Sequence, residues 1–280
     1  MLNPRENWMA MHNGEKPDYV PMTMECYAIV GVPTLEIFEQ QWFSDGVDPW
    51  GVAWRVDSFG PTPDTTVPPI CPDIEEWRDY VKIPDLSKVN IKEMAEEELK
   101  NVNRDEKVVM FTHNTGVYER LLAILGDIDA LCALAESPEA CSDFFAAATD
   151  YKIKVAEMVY DAYKPDIYVN FDDIATANGL FISPDTYREV IKPHHARFLA
   201  AIKDMGMIPC EHTCGKCEDM IPDYVEMGVE HWHSAQCMND LAGIAKKYQG
   251  KLTIEGGWDT SGRPGMIECT EEGARESNTG

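Results

Sequence analysis

Five short apolar runs, each ending in polar residues, recur along the last two thirds of the chain: KVVMFTHN (107–114), DIYVNFDD (166–173), MIPCEHTC (207–214), VEHWHSAQC (229–237) and KLTIEGGWD (251–259). Runs of this length, rich in β-branched and aromatic residues, predict strands. Between them lie longer stretches with helical spacing, ERLLAILGDIDALCALAESPEACSDFFAAATDYKIKVAEMVYDAY and SPDTYREVIKPHHARFLAAIKDMG. In the second, Ser183 is placed as N-cap and Pro184 as first helical residue. Strand and helix therefore alternate, which predicts parallel βα units. Nearer the start, Asn3 and Pro4 suit the cap and first position of a helix that carries Trp8 and Met11 and ends near Gly14. PDYVPMTMEC follows as the expected first strand, and then a Pro-, Gly- and Trp-rich region up to about residue 90 with one or two short strands.

The polar residues gather at the C-terminal ends of the predicted strands, where a (β/α)8 barrel carries its active site. An open doubly wound sheet is the alternative, but no GxGxxG loop follows an early strand. The expected fold class is thus α/β, a TIM barrel formed by a single domain over 1–280, with a helical and irregular excursion at about 1–100. The count of strands reaches about seven where closure needs eight, which predicts a barrel lacking its C-terminal part. An open edge exposes unpaired backbone groups, so a longer natural chain, or another segment or subunit, is expected to cover the gap.

Charge narrows the function classes. The chain has 24 Lys and Arg against 49 Asp and Glu, a net charge of −25, which disfavours nucleic acid and anionic membrane surfaces. No stretch reads as a signal peptide or as 18 consecutive apolar residues, so a cytoplasmic protein is expected. Nine cysteines, scattered apart from one cluster, predict reduced thiols rather than a disulfide framework.

That cluster is CEHTCGKC (210–217). Side chains two apart on a strand share a face, so Cys210, His212 and Cys214 point the same way. With Cys210 deep, His212 and Cys214 reach the mouth as two candidate zinc ligands; a catalytic zinc needs about three protein ligands and an open position. Two other readings stand beside it: buried thiols near a hydrogen-bonded histidine, and a redox pair in Cys214-Gly-Lys-Cys217. Alternation in DIYVNFDD makes Asp172 the inward carboxylate, a candidate acid, base or supporting partner, and leaves Asp173 to cap the next turn. The inward face of that strand also carries Asn170, a candidate substrate contact. His113 is a candidate catalytic donor and Asn114 a candidate substrate contact at one strand end, Gln236 a contact at another, and after two glycines a third strand end offers Trp258 as a candidate substrate contact and Asp259 as a candidate catalytic carboxylate. His231 and His233 fall early in their strand and are not expected to be ligands.

Several stretches in this order, NPRENWMAMHNGEKPDYVP, FDDIATANGLFISPDTYREVIKPHHARF, EHTCG and GGWD, resemble the uroporphyrinogen decarboxylase superfamily, which holds both porphyrinogen decarboxylases and corrinoid-dependent methyltransferases. The resemblance covers nearly the whole chain and implies a (β/α)8 barrel. Decarboxylases of this kind carry an arginine-bearing loop that grips the substrate carboxylates, whereas the corresponding MTMECYAIVG has no arginine. The methyltransferase branch carries His-x-Cys-Gly, matched by His212, Cys214 and Gly215, with a third ligand, a cysteine, that family spacing puts beyond residue 280. The resemblance therefore implies zinc, a corrinoid co-substrate, a small-molecule substrate such as a thiol or methyl ether, and a corrinoid protein as partner, with a homodimer as the candidate assembly. The rival functions are a uroporphyrinogen decarboxylase-type lyase and a non-catalytic barrel that binds a ligand or a corrinoid protein.

Overall fold

The computed structural model describes residues 1–31, 45–57, 60–259, 262, 265, 266, 269 and 270. Six parallel strands form one curled sheet in the order β1 (Tyr27–Val30), β2 (Val108–His113), β3 (Ile167–Phe171), β4 (Ile208–His212), β5 (His231–Ala235) and β6 (Thr253–Gly256). All five predicted runs are strands. The first strand begins at Tyr27, after a helical turn over Thr23–Cys26, and not within PDYVPMTMEC.

The strands of the Pro-rich region, Gly46–Val47, Ala53–Asp57 and Gly60–Pro63, form a separate antiparallel sheet. Six strands, rather than the expected seven, therefore contribute to the curled sheet among the described residues. Together with its helices this is an incomplete TIM barrel, and no described strand joins β6 to β1.

Helices α1 (Pro4–His12), α2 (Ile91–Leu99), α3 (Val117–Leu125), α4 (Asp127–Glu136), α5 (Pro138–Tyr163), α6 (Lys192–Asp204), α7 (Ile221–Met227) and α8 (Leu241–Lys247) surround the sheet. The caps read from sequence are present: Asn3 and Glu6 form a capping box, and the Ser183 hydroxyl accepts the Thr186 amide. A π-helical turn over Tyr187–Ile191 leads into α6.

Two apolar layers hold the fold. Between sheet and helices lies the larger core, which includes Val109, Phe111, Tyr168, Phe198 and Trp232. Inside the curl, Val108, Met110, Ile167, Val169 and Cys210 pack on Trp8 of α1. Arg5 anchors α1 there through two 2.6 Å contacts to the Asp166 carboxylate, so the helix plugs the N-terminal face. The other excursion is pinned by a buried ion pair between Arg120 of α3 and Asp48; the Asp48 carboxylate also accepts the Trp50 and Val52 amides at 2.9 Å and the Trp54 indole N–H at 3.0 Å. This sets Trp54 and Pro61–Pro63 beside the strand ends.

Candidate functional site

Register places Phe171, His212 and His233 side by side on the inner face at the C-terminal ends of β3, β4 and β5. The His212 ring stacks on Phe171 at 3.8 Å between centroids. Burial, helped by the neighbouring His233, pushes its pKa down to about 3, so the imidazole is neutral at physiological pH. Its Nε2 lies 3.3 Å from Cys214 Sγ and 3.9 Å from the Asp173 carboxylate.

The ligand atoms of Asp173, His212 and Cys214 all fall within 4.8 Å of one another. A tetrahedral zinc with bonds of about 2.0–2.3 Å holds its ligand atoms about 3.3–3.8 Å apart, so the three groups fit such an ion with small adjustment. Burial raises the pKa of both the Cys214 thiol and the Asp173 carboxyl; a divalent cation would favour their anionic forms.

The loop after β4 is built to hold this shape. Gly215 has φ of 86°, and a Cβ there would sit 2.6 Å from the Thr176 carbonyl oxygen. Gln236 accepts the Gly215 amide at 2.7 Å, and Asn239 accepts the Cys217 amide and donates to the Gly215 carbonyl, both at 2.9 Å. Gln236 thus binds the backbone of the loop that carries Cys214. Cys217 is fully buried, its thiol pushed up to about 12 chiefly by burial, and directs Sγ to the Thr213 carbonyl, while Cys214 directs its own to His212 and Ser234. All nine cysteines are free.

Three expected site residues, Asn170, Asp172 and His113, face outward instead of into the curl. In β3 the inner face is Ile167, Val169 and Phe171, and Tyr168, Asn170 and Asp172 face the helices. Asp172 is fully buried and accepts the Tyr118 and Glu119 amides at the start of α3, at 3.0 and 2.9 Å, with His195 Nε2 at 2.7 Å. It caps a helix from outside that helix, and Gly116 makes room, since a Cβ there would lie 2.1 Å from the Asp172 carboxyl carbon. Burial, the largest influence, lowers the His195 pKa, but the Asp172 hydrogen bond and the nearby Glu211 and Asp172 charges together more than offset it and raise the pKa.

Asn170 donates to buried Glu211 at 3.0 Å, whose carboxyl burial pushes up to about 8. His113 also points outward, with Nδ1 2.6 Å from the Tyr168 hydroxyl. Both faces of a parallel barrel strand are apolar, so alternation alone could not decide which was inward.

Asp259 accepts the Gly262 amide at 2.7 Å, and Trp258 is exposed after β6. Asn114 lines a cavity of about 440 Å³ with Thr115, Glu119, Phe171, Asp173 and His212, beneath Trp54 and Pro61–Pro63. A second cavity of about 580 Å³ meets the inner face from the other side, lined by Tyr27, His233, Ser234, Glu255 and Trp258. A groove of about 850 Å³ opens around Asn13, Lys203 and Lys251 at the N-terminal face, with none of the strand-end groups on its wall.

Asp173 and His233 are the groups that sequence reasoning passed over. The second aspartate of DIYVNFDD starts the loop that returns toward Cys214, whose amide it accepts at 2.6 Å. For His233 the signal was present in HWHS, because its two-residue spacing from His231 puts both on one face.

Comparison with known proteins adds the family. A search of curated proteins finds no match to this chain. Among solved structures, a methyltransferase from Methanosarcina mazei is similar in fold, with a TM-score of 0.63 at 14% identity over 91% of this chain and 82% of that one. The family model of uroporphyrinogen decarboxylase (URO-D) matches residues 91–262, which span β2 through β6 and include Asp173, His212 and Cys214, and the chain belongs to that family.

Proposed function

We propose that the protein is a zinc-dependent methyltransferase that moves a methyl group between a small substrate and a corrinoid. The observation that carries this reading is the convergence of His212, Cys214 and Asp173 at one strand-end site, two of which, His212 and Asp173, line the 440 Å³ cavity. These three would hold the ion, with Asp173 taking the place of the more distant cysteine that the resemblance implies. Zinc, when bound, supplies a Lewis acid that favours a thiolate over a thiol or polarises an ether oxygen.

The chain's own residues supply the remainder. Asn114 offers an amide to orient a polar substrate, Phe171 gives the cavity an apolar wall, and Trp54 with the proline-rich hairpin restricts water. Trp258 stands exposed after β6, within reach of a large flat ligand.

The family name raises a second reading, decarboxylation of a porphyrinogen. The cavity speaks against it: Glu119, Asp127 and Asp173 line it, and none of the described lining residues is Lys or Arg. A substrate rich in carboxylates would find no cationic partner among those residues. The test is spectroscopic. Purified protein should change the cobalamin absorbance when given a methyl donor and cob(I)alamin, or a methylcorrinoid and a thiol, and should leave uroporphyrinogen untouched. Coproporphyrinogen formation without any metal or corrinoid would overturn the assignment.

A further inference from the structure

His212 Nδ1 lies 2.6 Å from His233 Nδ1, so two ring nitrogens face each other with one hydrogen between them. One imidazole must donate and the other accept, and the choice fixes which nitrogen of each ring is left bare. In the first arrangement His212 donates from Nδ1, its Nε2 lone pair points toward Cys214 and Asp173, and His233 carries its hydrogen on Nε2. In the second, His233 donates, its bare Nε2 faces the other way, and His212 Nε2 carries a hydrogen that blocks a metal.

The far side of His233 decides between them. Its Nε2 lies 3.7 Å from the Glu255 carboxylate, the nearest charge on that side. Glu255 accepts from the Tyr27 hydroxyl at 2.7 Å and the Thr23 hydroxyl at 2.9 Å, and His231 Nε2 lies 3.1 Å from it without hydrogen-bond geometry. A bare nitrogen against that carboxylate is repelled, and an N–H is attracted. Tyr27 is held in turn by the Trp8 indole N–H at 2.7 Å, which ties Glu255 to the plug helix across the open side of the curl.

We infer that Glu255 and His233 are positioning residues that impose the Nδ1–H tautomer on His212 and so aim its Nε2 lone pair at the metal position. Partners of this kind, behind a ligating histidine, fix the ring's tautomer and strengthen it as a ligand. The line runs from β6 through β5 to β4, joining the two cavities on either side of the His212 and His233 rings. The inference rests on the metal reading of His212 for its purpose, but the tautomer itself is a property of the metal-free chain.

The measurement is the histidine ring nitrogen spectrum of ¹⁵N-labelled, chelator-stripped protein, with His212 assigned by its loss in His212→Gln. We expect His212 protonated on Nδ1 and bare on Nε2; protonation on Nε2 overturns the inference with no variant needed. Glu255→Gln, whose amide can donate to His233 Nε2, should move His212 toward the other tautomer and weaken zinc binding about 10–100-fold in competition with a chromogenic chelator. His233→Phe, which keeps a ring but no acceptor, should weaken zinc equally, and His233→Asn, which keeps an acceptor oxygen, should restore affinity toward wild type. Equal affinities in wild type, His233→Phe and Glu255→Gln would also overturn it. Wild-type protein that shows the expected tautomer yet binds no zinc would end the metal reading alone.

Discussion

At the scale of single residues, the neighbours of Asp172 and Asp173 separate two adjacent carboxylates into different roles. Asp172 accepts two helix amides and faces His195 at 2.7 Å, so Asp172→Asn should cost about 3 kcal/mol of stability, read from urea unfolding, and leave zinc affinity unchanged. A stable variant that loses zinc would contradict this placement. Asp173→Asn should do the reverse, weakening zinc with little change in unfolding midpoint.

His194 gives a test of pH dependence away from the site. It is half-buried, with Nε2 2.9 Å from the Ser142 hydroxyl, and burial lowers its pKa from about 6.5 to about 4. Between those values the unfolded chain binds a proton that the folded chain does not, so stability falls as pH drops through the window from 6.5 to 4. His12, His212 and His233 are lowered too and add to the slope. His194→Gln should reduce that slope by less than about 1.4 kcal/mol per pH unit, the limit for one whole proton, because part of the ring meets solvent. Unfolding curves from pH 7 to 4 that are parallel for variant and wild type would refute it.

At the scale of elements, strand existence was legible and strand facing was not. The five regular strands, the Asn3 and Ser183 caps and the alternation with helices followed from spacing and cap chemistry, which are local. The face of β3 depends on what fills the curl. Trp8 comes from a helix more than 150 residues away in sequence and makes the interior as apolar as the helix side. Alternation carried the right answer for β4, where Cys210 and His212 are inward, because the candidate ligands themselves supplied the contrast. Tyr27–Val30 was missed for its shortness and its helical lead-in.

The excursion tests whether a distant element shapes the cavity. Asp48→Ala leaves the Arg120 guanidinium buried without its carboxylate and should cost about 3–5 kcal/mol, and Asp48→Ala with Arg120→Met should recover part of that loss. Denaturation of the two proteins side by side gives the comparison; a double variant no more stable than the single one would show that the pair is not what holds the excursion.

At the scale of the whole molecule, an acidic α/β chain of the uroporphyrinogen decarboxylase family sets a neutral imidazole, a thiol and a carboxyl together at its strand ends. No described helix is long and apolar enough to cross a membrane. The parallel frame brings together residues 172, 195 and 119 around the start of α3 and residues 173, 212 and 214 at the proposed metal site, a division that motif spacing could only half reveal. The measurement that bears most directly on the central claim is zinc content, determined by elemental analysis on protein purified under reducing conditions without chelator. The account predicts about one zinc per chain in the wild type and a near-complete loss in a folded Cys214→Ala variant, as expected when one of three ligands is removed. Wild-type protein with far less than one equivalent, or a Cys214→Ala variant that keeps its zinc, would contradict it.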